Sequence, residues 1–152
     1  MQRLILLRHA EAERRSRSGD DFDRGLTPEG RAEAQAIGKR LAAQGVKPDL
    51  VIVSTAKRAG ETWAEVEAVF PEALVAAEPD LYEASPATLL QVAEAAKVDG
   101  AVMLVAHNPG LHALAVGLGG DGPLKHGLPT AHAAVFSFDA DGAPRFEGVV
   151  KP

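Results

Sequence analysis

Three short apolar runs constrain this chain more than anything else in it: Leu4–Leu7, Leu50–Val53 and Ala101–Ala106. Each is too short for a helix, contains no polar residue and stops abruptly at Arg8-His9, Ser54-Thr55 or His107-Asn108. Runs of this kind read as strands buried on both faces. The stretches between them carry helical spacing instead. Thr27 can cap a helix whose first residue is Pro28; Ala34, Ile37 and Leu41 give it a buried stripe, and Gly45 stops it. A second helix is expected over residues 56–70, with Ala59, Trp63, Val66 and Phe70 on one face before Pro71. Ser85-Pro86 opens a third, carrying Leu89, Leu90 and Val92, and a short fourth follows His107-Asn108-Pro109-Gly110 to about Val116. Leu74–Ala77 is a weaker strand. Ala133–Phe138 and Phe146–Val150 close the chain as strands joined through Asp139–Gly142. Residues 8–25 hold ten charges and read as a mobile loop, and Gly117–Pro129, rich in glycine, as another loop.

Four strand–helix units followed by two strands predict an α/β fold: a three-layer α/β/α sandwich with a mostly parallel sheet and an antiparallel edge strand. At 152 residues the chain is expected to form one domain spanning 1–152. Lys and Arg total 16 against 21 Asp and Glu, a net charge of −5 that argues against a nucleic-acid binder. The absence of cysteine excludes a disulfide scaffold, thiolate metal sites and a cysteine nucleophile. No apolar run approaches the roughly 20 residues of a membrane span. The first run lacks the length and cleavage site of a signal peptide. A cytoplasmic protein, monomeric for want of an exposed apolar helix stripe, is the expectation.

In parallel sheets, ligand sites gather beyond the carboxyl ends of the strands. That edge collects Arg8-His9, Ser54-Thr55 with Arg58 a turn into the next helix, and His107-Asn108. Taken singly, each has a structural reading: a strand-end histidine bonded to a carbonyl, a surface arginine, a turn before Asn-Pro-Gly. Brought together they make an anion pocket with a nucleophile or base inside. Arginine's fork matches phosphoryl oxygens, a neutral imidazole can attack phosphorus, and a second can hold an oxygen in the transition state. The chain has no phosphate-binding loop with lysine, no H-E-x-x-H and no G-x-S-x-G. His107, His112, His126 and His132 are spaced by five, fourteen and six residues, with no close ligand pair. Two arginines near the centre would oppose a cation, so neither metal nor cofactor is expected. His112 and His132 read as structural and His126 as a loop residue.

Four pieces together resemble the histidine phosphatase superfamily, which includes the phosphoglycerate mutases. They are Leu7-Arg8-His9-Ala10, Leu26-Thr27-Pro28-Glu29-Gly30, Val53-Ser54-Thr55-Ala56-Lys57-Arg58-Ala59 with Thr62, and Val105-Ala106-His107-Asn108-Pro109-Gly110. The short length, Arg-His-Ala and His-Asn-Pro-Gly resemble its SixA-type phosphohistidine phosphatase branch. The resemblance implies that His9 accepts the phosphoryl group, Arg8 and Arg58 clamp it, His107 is the second pocket histidine and no metal takes part. Ala10 stands where most relatives have glycine, and Thr55 where proline commonly follows the serine. Larger relatives usually carry a glutamate acid in an insertion. Here Asp80-Leu81-Tyr82-Glu83 is the comparable stretch, and Glu83 the candidate acid. The short segment between Trp63 and Val92 leaves little chain for a lid. A poor acid fits a P–N bond better than an alkyl ester. The expected function is hydrolysis of a phosphohistidine-bearing protein. Two alternatives stay open: a metal-independent phosphatase of small phosphate esters, and a non-catalytic phosphate- or phosphoprotein-binding module that uses the arginines without His9.

Overall fold

The chain alternates strand and helix four times before its two closing strands, and the computed structural model describes all of residues 1–152. The strands are β1 (Arg3–Arg8), β2 (Leu50–Ser54), β3 (Leu74–Glu78), β4 (Ala101–Ala106), β5 (Ala133–Phe138) and β6 (Pro144–Val150). The helices are α1 (Pro28–Ala43), α2 (Lys57–Val66), α3 (Pro86–Ala95) and α4 (Gly110–Ala115). The sheet runs β3-β2-β4-β1-β5-β6. The first four strands are mutually parallel; β5 runs against β1, and β6 against β5.

Alternation along the strands divides the core. Ile5, Leu7, Val51, Val53, Met103 and Val105 pack on one face with Ile37 and Leu41 of α1 and Trp63 and Val66 of α2. Leu4, Leu6, Ile52, Val102 and Leu104 pack on the other with Leu89 of α3 and Leu111 and Leu114 of α4. Both faces are therefore committed, and a one-residue slip of a central strand would exchange the two sets.

The helix starts form as their sequences dictate. Thr27 Oγ1 accepts from the Gly30 N–H at 2.9 Å and Ser85 Oγ from the Thr88 N–H at 3.1 Å. The second helix is shorter than its apolar stripe: α2 ends at Val66, and a 3-10 turn, Glu67–Val69, brings Phe70 into the core. The glycine-rich segment after α4 is also more ordered than its composition suggests. It begins with a wide helical turn, Val116–Gly120, and then buries Leu124 and Leu128. The charged segment after β1 is strapped down by a bridge between Ala12 and Leu26 and contains a 3-10 turn, Asp21–Asp23. No helix is long and apolar enough to cross a membrane.

One register positions the chemistry. The neighbours β1 and β4 place Arg8 beside Ala106, so His9 and His107 leave the centre of the sheet side by side.

Candidate active site

The His9 N–H donates to the Ala106 carbonyl at 3.1 Å, and the His9 and His107 rings lie 5.2 Å apart, centroid to centroid. His9 Nδ1 is 2.8 Å from the carbonyl oxygen of Ala10, and His9 Nε2 is 3.3 Å from Arg58 Nε. A carbonyl only accepts and a guanidinium only donates. The proton therefore sits on Nδ1 and the lone pair on Nε2. Burial pushes the His9 pKa down to about 4; the Ala10 carbonyl opposes that shift, while Arg58, Arg8 and Arg24 add to it. At neutral pH the ring is uncharged.

Ala10 is itself held. Its N–H donates to Thr62 Oγ1 at 2.9 Å, and the Thr62 hydroxyl donates to the Arg58 carbonyl at 2.7 Å. The backbone at Ala10 avoids the left-handed region, and its buried methyl group joins the core. Alanine is thus accommodated here without a glycine-only conformation.

Arg58 lies in the first turn of α2 and is buried. Its Nη1 donates to the Asp21 carbonyl at 2.9 Å, and its Nη2 to Asp21 Oδ2 at 3.1 Å. Asp21 also accepts from the Tyr82 hydroxyl at 2.7 Å and from Arg24 Nε at 2.8 Å. The Tyr82 hydrogen bond is the chief reason that the Asp21 pKa is lowered to about 2, with the two arginines assisting; the same bond raises Tyr82 to about 12. The Tyr82 ring stands edge-on to His107 at 5.6 Å and to Phe22 at 5.1 Å.

The other guanidinium is oriented from the far side. Arg8 Nη1 and Asn108 Nδ2 both donate to the Leu128 carbonyl, at 3.1 and 2.8 Å. His107 Nε2 lies 2.7 Å from Ser54 Oγ, which also accepts from the Ala56 N–H at 3.3 Å. Burial pushes the His107 pKa down to about 3, with His9 and Arg58 lowering it further. Arg8 Nε and His107 Nδ1 are buried without a protein partner.

All five expected residues line one open cleft of about 860 Å³: Arg8, His9, Arg58, His107 and Glu83. Glu83 reaches it from a turn held at φ 57, a left-handed conformation unusual outside glycine. His112 and His132 lie outside the cleft lining and bond to the carbonyls of Leu124 and Thr130. The structure adds Asp21 and Tyr82 as partners that sequence reasoning did not assign to the site, and gives side-chain contacts to Ser54 and Asn108, which the sequence had placed on this edge. Ser54 carried a usable signal, since it ends a buried strand on the active edge. Asp21 carried none, because it sits among five acids and four arginines in residues 11–24. Chemically, the arrangement is an uncharged imidazole whose Nε2 lone pair faces the Arg58 guanidinium, with the Arg8 guanidinium and a second imidazole beside it. It is suited to receiving a phosphoryl group.

Comparison with known proteins gives a consistent picture. Residues 4–91 match the histidine phosphatase superfamily (branch 1). An uncharacterised chloroplastic protein of Arabidopsis thaliana is 31% identical over 99% of this chain and 78% of its own length. The mitochondrial serine/threonine-protein phosphatase PGAM5 of Xenopus tropicalis is 35% identical over 83 residues, which span 55% of this chain but only 29% of that protein. Among solved structures, one from Agrobacterium tumefaciens, provisionally assigned as the phosphohistidine phosphatase SixA, superposes with a TM-score of 0.91. It is 32% identical and covers 99% of this chain and 98% of its own. The tungstate complex of the protein histidine phosphatase SixA shares the fold at a TM-score of 0.81 and 24% identity, covering 99% of this chain and 97% of its own. A match over more than half of the chain, with the expected motifs gathered at one end of a SixA-like sheet, makes this protein a member of the histidine phosphatase superfamily.

Proposed function

We propose that this protein is a metal-independent phosphohistidine phosphatase, a single domain over residues 1–152 that hydrolyses a protein-bound phosphohistidine through a covalent phospho-His9 intermediate. The observation that carries the reading is the fixed state of His9: Nδ1–H on the Ala10 carbonyl, Nε2 unprotonated, and the ring neutral beside Arg58.

His9 Nε2 attacks phosphorus, the bond to the leaving nitrogen breaks, and its electron pair stays with the leaving ring. Arg8, Arg58 and His107 hold the phosphoryl oxygens while charge redistributes over them. Ser54 accepts one N–H from Ala56, and we assign its own proton to the contact with His107 Nε2. In that arrangement the His107 proton lies on Nδ1, the buried nitrogen without a protein partner, where it serves a phosphoryl oxygen. Phospho-His9 keeps its Nδ1 proton on the Ala10 carbonyl. When water attacks phosphorus, His9 departs as neutral imidazole and phosphate is released. We assign proton exchange with the leaving ring and water to Glu83, which lines the same cleft.

The names borne by the Agrobacterium tumefaciens structure and by a second SixA-assigned structure at 27% identity support this substrate class. The test has two parts. His9→Gln should abolish turnover, and quenching the wild-type protein in alkaline detergent should trap one acid-labile, alkali-stable phosphate on His9. Kinetics in EDTA should give a larger kcat/KM for a phosphohistidine-bearing protein than for an aryl phosphate. Turnover by His9→Gln overturns the nucleophile; preference for the aryl phosphate overturns the substrate.

A further inference from the structure

The charges on the cleft wall balance. Three guanidiniums, Arg8, Arg24 and Arg58, share the lining with three carboxylates, Glu11, Asp21 and Glu83. With both imidazoles neutral, the empty wall carries no net charge. A site built for a small polyanion would instead show an excess of cations, since each uncompensated anion brought into a partly desolvated cleft is costly. Here an entering phosphoryl dianion already exceeds what the wall can neutralise, and a second anionic group on the substrate would worsen the imbalance. A positively charged leaving group would relieve it.

Asp21 is the carboxylate best fixed for that discrimination. Tyr82, Arg24 and the Arg58 Nη2 all bond to its side chain, and Arg58 Nη1 bonds to its carbonyl. Its side chain cannot swing away from the cleft without releasing three hydrogen bonds. Its side chain nevertheless keeps 51% of its surface exposed, so a ligand can feel its charge. Asp21 also stays ionised at any pH at which the protein is expected to work, and so acts as an acceptor of cationic N–H rather than as a proton donor.

We propose that Asp21 is a specificity-determining residue: its anchored carboxylate favours a phosphoryl group borne on a protonated nitrogen ring and disfavours phosphate esters that carry a second anionic group. This deepens the phosphohistidine reading and rests on it. A phosphoimidazole bears phosphorus on one nitrogen and, in its reactive form, a proton on the other, so the ring is cationic. Attack by His9 Nε2 forms the new P–N bond and breaks the old one. The released electron pair neutralises the ring, and imidazole leaves with its remote proton still in place. No acid has to deliver a proton to the departing atom. What the cleft must supply is negative charge beside the ring, which Asp21 provides, much as the Ala10 carbonyl holds the corresponding proton on His9.

The test is kcat/KM for wild type, Asp21→Asn and Asp21→Glu with three probes: N-phosphorylimidazole, p-nitrophenyl phosphate and 3-phosphoglycerate. Asparagine loses the charge and keeps acceptance at one oxygen only; glutamate keeps the charge and both accepting oxygens. Asp21→Asn should lower the ratio of phosphorylimidazole to phosphoglycerate by about tenfold at low salt and by less at high salt, with Asp21→Glu restoring part of it. An equal loss on all three probes overturns the proposal, because it reduces Asp21 to a support for Arg58. Should the wild-type protein prefer p-nitrophenyl phosphate to phosphorylimidazole, the phosphohistidine reading fails by itself. In that case the ratio of p-nitrophenyl phosphate to phosphoglycerate decides the charge selectivity: a fall in Asp21→Asn supports it and no change overturns it.

Discussion

His9 and His107 are chemically distinct although they emerge from adjacent strands. His9 is fixed at both nitrogens, by a carbonyl and by a guanidinium, whereas His107 is tied at one nitrogen to a hydroxyl. Burial keeps both uncharged well below the ordinary histidine range, at about 4 and about 3. Nitrogen-15 NMR of the two rings should therefore show no titration between pH 8 and pH 5.5, with Nδ1 of His9 protonated throughout. A midpoint for His9 near 6.5, or protonation on Nε2, would contradict the geometry. Arg8, His9, Arg58 and His107 were legible as candidates because they follow or end strands or begin a helix, at positions where polar residues interrupt short apolar runs. The partners that hold these four were not. Thr62 appeared only as part of a motif, and nothing in the sequence said that its hydroxyl would link Ala10 to Arg58. Asp21 and Tyr82 are separated by 61 positions, and their contact exists only once the charged segment has folded over α2.

The same contrast holds for elements. Strands with both faces buried announce themselves, and so do helices that start with a hydroxyl cap followed by proline. Segments stabilised by their surroundings do not. The turn at Val116–Gly120 and the burial of Leu124 and Leu128 were hidden by glycine content, because a glycine-rich stretch gives no periodicity to read. The N-terminus of α1 shows how tightly such segments fit. The Glu11 carbonyl accepts from the Thr27 N–H at 3.0 Å, and a Cβ at Gly30 would collide with that same oxygen. Main chain on both sides cannot yield cheaply. Gly30→Ala should cost about 1–3 kcal/mol of stability by overpacking, measured as a fall in the urea midpoint with unchanged slope. Gly30 belonged to a motif in the sequence; the structure supplies its reason, which is docking of the segment after His9 rather than any contact with substrate. A similar close approach sets Gly110 at the start of α4 against the Ala84 carbonyl, and so joins the strand carrying His107 to the turn carrying Glu83.

For the molecule as a whole, burying two uncharged imidazoles couples the site to folding. The unfolded chain protonates these histidines near their ordinary pKa of 6.5, whereas the folded chain resists until about 4 and about 3. Above pH 6.5 both states are neutral at these rings and the pair contributes no pH dependence. As pH falls from 6.5 toward 3, the unfolded state binds protons that the folded state refuses, so stability drops. Below about 3 the loss levels off for the histidines. Asp21 acts in the same direction lower down, because its folded pKa of about 2 lies below its ordinary 3.8. Urea unfolding from pH 8 to pH 4 should show a falling midpoint, by on the order of a few kcal/mol in all, and His9→Gln/His107→Gln should flatten that slope. An equally steep slope in the double variant would place the acid sensitivity elsewhere.

The central pairing of β1 with β4 has a further consequence. Because main-chain bonds in mid-sheet fix His9 beside the strand that leads into His107, while Asp21, Tyr82 and Glu83 arrive on peripheral connections after β1 and after β3, the two sides of the cleft are held by different means. Such a division leaves the peripheral side open to redesign: the two connections can be rewritten while the histidine pair keeps its footing.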